Sequence, residues 1–440
     1  MSAASNYRRL NAALLPKFLT NYSNRLANAP YFDFIIFLPL DTSISDPIRF
    51  LQVLLELKTI HYPTSQFLIV ASSDTSLKHS SLSLTWKRLM DSIPSESKAS
   101  ISFLEVCFQK ILALSTLYKT FFQWMKNIPF SQAMICSSNQ STLSLSQLHT
   151  LFDSAKSQGT DLNLAAYTFP FYKGFLTNFW AMPLAYLFGR AFRNPSPPDF
   201  LFSKACLEFW LTLPWPQLTR SFSMHLFLTL SSSFSGLRLR EIFLGEKEKQ
   251  DLYSHEEIPE AVHLGLSLLS QHRSFLWNST ALLSSSHIDQ TTGALPSVFP
   301  FQIYSLSDLN RTLQSYQLLQ SHRHLQSHRQ SISFSASLTK PQALPWNKTL
   351  LSLFQSFLKH PQKDKFEKIF CNLLFLKAAD WAEEIRKSIH NTKQKAIQDQ
   401  HHGFPWMGGE KGQHWHIHDQ FEKKLHDDYT HLHDIKRNYL

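Results

Sequence analysis

Four places in this chain carry side chains whose types and spacing could do chemistry. Asp74 closes an apolar run, Gln66-Phe67-Leu68-Ile69-Val70-Ala71, through Ser72 and Ser73. A carboxylate at a strand end accepts hydrogen bonds from a base N–H or a ribose hydroxyl. It equally serves as a helix N-cap or turn residue, and both readings stand. Glu246-Lys247-Glu248-Lys249 places two ammonium groups just past another strand-like stretch, Leu237 to Leu244. Each ammonium is a point charge suited to an anion; the alternative is a solvated charge run. Between these lies Tyr167 to Asp199, rich in aromatics and broken by Thr177-Asn178 and Met182-Pro183. The fourth place is the histidine-rich end, where His418, Glu422 and His426 would share one helix face and His414, His416 and His418 one face if extended. No fixed finger spacing accompanies those histidines, which leaves a metal site there as one reading and a solvated tail as the other. Serine-nucleophile motifs, phosphate-binding P-loops and the dinucleotide glycine fingerprint do not occur.

The 440 residues suffice for two or three units and a large core. Hydrophobic residues make up 43% and charged residues 17%, which excludes global disorder. A net charge of +10 favours an anionic ligand or surface, or marks a basic soluble protein. No basic stripe interleaved with aromatics indicates a nucleic-acid module. Cys107, Cys136, Cys206 and Cys371 are far apart and form no Cys-x-x-Cys pair, the pattern of reduced thiols in a cytoplasmic protein. Phe175 to Gly189 is the most apolar run. It is shorter than the ~20 residues a spanning helix needs, so membrane contact is at most peripheral.

These groups need elements to hold them. Asp33 to Pro39, Gln66 to Ala71, Ser100 to Glu105 and Ala133 to Cys136 read as short buried strands, with helical spacing between them, as at Ile48 to Leu57. Such alternation predicts a mostly parallel sheet covered by helices. Ligands of such sheets bind at the carboxyl ends of the strands, where Pro39, Asp74, Ser137 and Asn139 fall. Phe175 to Gly189 and Phe202 to Leu213 read as helices. After Gln250 the pattern is helix and loop, with Ile258 to His272, Leu306 to Gln320, Leu350 to Leu358 and Lys365 to Ile389 as helices. The expected division is a helical segment over 1–30, an α/β domain over 31–250, an α-helical unit over 251–390 and a histidine-rich tail over 391–440.

One set of residues is ordered like a known family. Tyr167, Thr177-Asn178, Pro183, Gly189, Arg193, Asp199-Phe200 and Leu244-Gly245-Glu246-Lys247 occur in sequence over about eighty residues. Together they resemble the second half of nucleotide-sugar glycosyltransferases of the mannosylglycerate and glucosylglycerate synthase type. The resemblance covers roughly residues 30 to 250 and implies a GT-A-like, Rossmann-like fold. It implies a nucleoside-diphosphate sugar as donor, with Pro39, Asp74, Ser137, Asn139 and Lys249 on the nucleotide. Tyr167, Thr177 and Asn178 would face the acceptor, and Lys247 and Asp199 would be catalytic.

This chain departs from the family where charge matters. The family's two metal-binding aspartates after the fourth strand are replaced by Ser137-Ser138-Asn139. Mg or Mn is thus implied by the resemblance, but its acidic ligand pair is absent, and no metal ligands are assigned. An aspartate near the sugar corresponds to Ser223, a late histidine to Lys249, and the arginines after the tyrosine to Thr168 and Phe169. The expectation is hexose transfer from a nucleoside-diphosphate sugar to a small anionic or polar acceptor without a metal, Lys247 and Lys249 neutralising the diphosphate. The alternative is a catalytically inactive glycosyltransferase-like binding or scaffold protein. Nucleic acid is not an expected partner.

Overall fold

The computed structural model describes residues 7–11, 31–39, 47–74, 88–91, 100–108, 114–136, 143–168, 174–188, 192, 194–246, 257–272, 346–375 and 377. The chain divides into two compact units. The first comprises Met1–Thr168, Phe192–Asp251 and Ile288–Leu295; the second comprises Phe169–Ala191, Leu252–His287 and Pro296–Leu440.

The first unit is built on apolar runs that are buried on both faces, the signature of parallel strands. In chain order its elements are β1 (Tyr7–Asn11), β2 (Phe32–Pro39), α1 (Pro47–His61), β3 (Phe67–Asp74), β4 (Ile101–Phe108), α2 (Leu114–Met125), β5 (Phe130–Cys136), α3 (Leu145–Gln158) and β6 (Leu162–Thr168). They continue with β7 (Asp199–Ser203), α5 (Lys204–Thr212), α6 (Ser221–Ser232) and β8 (Leu239–Glu246), α4 belonging to the second unit. The strands form one sheet in the order β1-β4-β3-β2-β5-β7-β6-β8. Every neighbouring pair is parallel except those of β7, which runs antiparallel to both β5 and β6. This is a mostly parallel α/β sheet, as the strand pattern predicts.

Alternation along β2 shows how the layers are made. Phe34 points to one face and packs on Phe67 at 5.1 Å and on Phe152 of α3 at 4.6 Å. Phe37 points to the other and stacks on Phe121 of α2 at 4.0 Å. That second face continues through Phe122, which stacks on Trp210 of α5 at 5.2 Å. The abundant phenylalanine of the sequence therefore forms two aromatic layers, one above and one below the sheet.

Three sequence expectations change here. Tyr7–Asn11, within the segment expected to be helical, is a strand that pairs with β4 at the sheet edge. The helix expected from Phe202 begins at Lys204, because Ser203 caps it by accepting from the Cys206 N–H at 3.3 Å, and the residues before it form β7. The helix expected over Phe175 to Gly189 is not uniform: a π-helix spans Thr177–Ala181 and α4 spans Met182–Leu187. Pro183 explains the change. It has no N–H to give the carbonyl four residues back, and its ring crowds that carbonyl, so the preceding turn widens.

The second unit holds the π-helix, α4, α7 (Glu257–Gln271), α8 (Trp346–Lys359) and α9, a helix over 363–375. Its centre is Trp180, fully buried, whose Nε1–H donates to the Ala261 carbonyl at 3.0 Å. Phe354 and Phe370 pack on its ring at 5.6 and 5.3 Å. Gly265 of α7 meets the same ring; a Cβ there would lie 2.5 Å from it. This helical unit is the one expected after residue 250, with Phe169–Ala191 added from within the expected α/β domain. The expected helix over Leu306 to Gln320 and the histidine-rich tail lie outside the described residues. No helix of the described residues is long and apolar enough to cross a membrane.

Candidate functional site

The parallel strands β4, β3, β2 and β5 end at one edge of the sheet. Register places Pro39 beside Ser72, and Asp74 beside Phe108. Pro39 and Asp74 thus lie on neighbouring strand ends, as the sequence predicts. β5 ends at Cys136, immediately before Ser137. β8 ends at Glu246, immediately before Lys247, and is paired with Thr168 at the end of β6. Ser137, Asn139, Lys247 and Lys249 themselves lie outside the described residues.

Antiparallel β7 brings a carboxylate to this same edge. Its first residue, Asp199, registers with Cys136, the last residue of β5. Asp199 is fully buried, and its Oδ2 accepts from the Tyr167 hydroxyl at 2.6 Å. Burial pushes the Tyr167 phenol well above its ordinary range; the charge of Asp199 and its hydrogen bond push the same way, as does Cys136. Tyr118 of α2 is also fully buried and also raised, first by burial and then by Cys136 and Asp199. Its hydroxyl pairs with Nε2 of His225 on α6 at 2.9 Å. Beneath the carboxyl edge there is therefore a floor of five titratable side chains: Tyr118, Cys136, Tyr167, Asp199 and His225.

The chemistry of this floor is fixed by its dryness. Asp199 holds a phenol in place, its carboxylate buried against Tyr167. Tyr167 is locked as a protonated donor. Thr177 and Asn178 are the first two residues of the π-helix, in the second unit. Thr177 is buried, and its carbonyl accepts from the Met182 N–H in the wide π pattern.

Groups that the sequence reading passed over also lie in the first unit. Asn194 donates its backbone N–H to Glu241 of β8 at 2.7 Å, and Ser196 donates to the Phe222 carbonyl at 2.7 Å. These bonds pin the segment before β7 to β8 and to the first turn of α6. The signal was the charged pair Arg240-Glu241 inside an otherwise apolar strand, since both side chains are buried. Ser223, on the same first turn, is fully buried and its Oγ has no hydrogen-bond partner.

The residues that follow β5 offer a divalent ion no carboxylate. Hard dications take carboxylate oxygens. The strand end carries Cys136 followed by Ser137-Ser138-Asn139, and none of these is a carboxylate. Asp199, which registers with Cys136, is turned inward to Tyr167. Among the described residues, no group of three or more His, Cys, Asp or Glu could hold a metal ion.

No protein-family model matches the chain, and no curated protein matches it. Solved structures resemble it at low identity. Glucosyl-3-phosphoglycerate synthase from Mycobacterium tuberculosis, in complex with Mn2+, uridine diphosphate and glucosyl-3-phosphoglycerate, is 12% identical with a TM-score of 0.37, over 57% of this chain and 83% of that one. Mannosyl-3-phosphoglycerate synthase from Rubrobacter xylanophilus is 14% identical with a TM-score of 0.39, over 60% and 82%. A CMP:2-keto-3-deoxy-manno-octonic acid synthetase complexed with CTP is 9% identical with a TM-score of 0.31, over 50% and 93%. At these values the likeness is one of outline, and it assigns no residue of this chain a role.

Proposed function

We propose that this chain binds a nucleoside-diphosphate sugar at the carboxyl edge of its sheet and transfers the hexose to a small anionic or polar acceptor. The observation that supports this most is the meeting of strand ends. Pro39, Asp74 and Cys136 close parallel neighbours on one edge, which is where open parallel sheets take nucleotides. Asp74 would receive the ribose or base. Without an acidic pair after β5, the diphosphate charge would fall to Lys247 and Lys249, beyond the end of β8. Tyr167 would serve the acceptor side, and the compartment would be the cytoplasm.

One observation bears on a second reading. Asp199, the carboxylate expected to be catalytic, is buried and engaged with Tyr167. That arrangement suits a protein that keeps the fold and binds the nucleotide without turning it over. Thermal-shift titration with UDP-glucose, GDP-mannose and the free diphosphates, each with and without EDTA, tests the shared part. Transfer predicts a saturable, EDTA-insensitive shift and acceptor-dependent release of nucleoside diphosphate. Binding alone predicts the shift without the release. No shift with any of them contradicts both readings.

A further inference from the structure

In the second unit, four polar side chains form a continuous chain between α7 and α9. Glu367 Oε2 lies 3.0 Å from Nδ1 of His263, and Nε2 of His263 lies 3.1 Å from Nζ of Lys363. Lys363 Nζ also donates to Ser267 Oγ at 2.7 Å. Ser267 in turn donates to the His263 carbonyl at 2.7 Å, one turn back on its own helix. His263 and Ser267 belong to α7, and Lys363 and Glu367 to α9.

The donors fix the proton on the imidazole. A lysine ammonium has donors only, so Nε2 must be the acceptor of that contact. Nδ1 then carries the hydrogen and donates it to Glu367. The arrangement requires a neutral His263. We propose that this chain of contacts is a proton-operated clasp, in which the tie from Lys363 to the imidazole holds only while His263 is neutral, Ser267 keeping its own bond to Lys363.

Consider what a proton on Nε2 does. The acceptor for Lys363 disappears, and two positive groups face each other at 3.1 Å. Glu367 attracts the new charge at nearly the same distance, 3.0 Å. The repulsion and the attraction largely offset each other, since charge interactions scale with the inverse of distance. What remains is the lost hydrogen bond, so acidification removes one of the two ties that His263 makes to α9. Other charged groups lie on α7, α8 and α9. Glu260 lies one turn before His263 on α7; Asp364 and Lys368 adjoin the clasp residues on α9 and are exposed; Lys359 and His360 close α8.

The test is amide hydrogen exchange of the full-length protein at pH 7.5 and 5.5, corrected for intrinsic rates, read in peptides from α7 and α9. The clasp predicts that protection of α9 falls at pH 5.5 by roughly two- to fivefold, the scale of one half-exposed charged contact. His263→Gln keeps a polar side chain that does not titrate, so its protection should be the same at both values. Lys363→Met removes the repelled partner and leaves the histidine–glutamate pair. Acidification should then raise the protection of α9, reversing the sign. If the native protein and Lys363→Met respond to pH in the same direction, or if His263→Gln keeps the native response, the clasp is refuted.

Discussion

At the scale of single residues, the floor beneath the carboxyl edge makes sharp demands. Tyr167→Phe removes the phenol that Asp199 accepts from, inside a dry site. It should cost about 1–3 kcal/mol of stability, the scale for stripping a partner from a buried polar group. The denaturant midpoint of the variant reads this directly, and an unchanged midpoint contradicts the pairing. The thiols give a second expectation. Cys136, Cys206 and Cys371 are buried thiols in no disulfide. Burial raises Cys206 well above its ordinary value and pushes Cys371 up to about 12. Since the thiolate is the reactive form, a disulfide exchange reagent at pH 8 should leave these three unlabelled until the protein unfolds. Fast labelling of any of them in the native state would contradict that burial.

At the scale of elements, legibility followed burial pattern. β2, β3, β4 and β5 were readable because each is a run of apolar residues between turn signals, and α1 because its leucines recur at helical spacing. β7 was not. Five residues, Asp199–Ser203, lie directly before a helix of similar apolarity, and periodicity does not separate a short buried strand from a helix start. β1 carries Arg8 and Arg9 at a sheet edge, where charge is tolerated, so it lacks the apolar signal altogether. Pro39 and Asp74 could be placed because strand ends follow from strand patterns. The Tyr167–Asp199 and Asn194–Glu241 contacts could not, since each joins segments far apart in sequence. Element packing also yields a prediction. Gly265→Ala would put a methyl group 2.5 Å from the ring of Trp180. α7 or the tryptophan must shift, at a cost of about 1–3 kcal/mol, the usual penalty for overfilling a packed core. A variant as stable as the native protein would mean that Trp180 does not pack there.

At the scale of the whole molecule, several buried acids push stability the same way. Tyr118, Tyr167 and Cys206 are raised well above their ordinary values of 10.0, 10.0 and 9.0, and Cys371 is raised to about 12. Each stays protonated in the folded chain while its unfolded counterpart ionises. As pH rises past the unfolded values, the unfolded state holds fewer protons than the folded one, so stability must fall. It is fully present below about pH 9 and lost progressively toward the raised folded values. The urea midpoint should therefore drop clearly between pH 7.5 and 10.5; a rise would contradict the assignment of these groups as buried and neutral. The proposed function rests, at this scale, on the strand ends acting together as a nucleotide site with lysines in place of a metal. The most direct test is calorimetric titration of UDP-glucose and GDP-mannose into the native protein, Lys247→Ala and the surface control Glu248→Ala, all in EDTA. The account predicts saturable binding to the native protein and to Glu248→Ala, weaker binding to Lys247→Ala, and donor turnover in Lys247→Ala slower by about two to three powers of ten. Native binding that vanishes in EDTA and returns with Mn²⁺, or equal binding by all three proteins, would contradict the metal-free site.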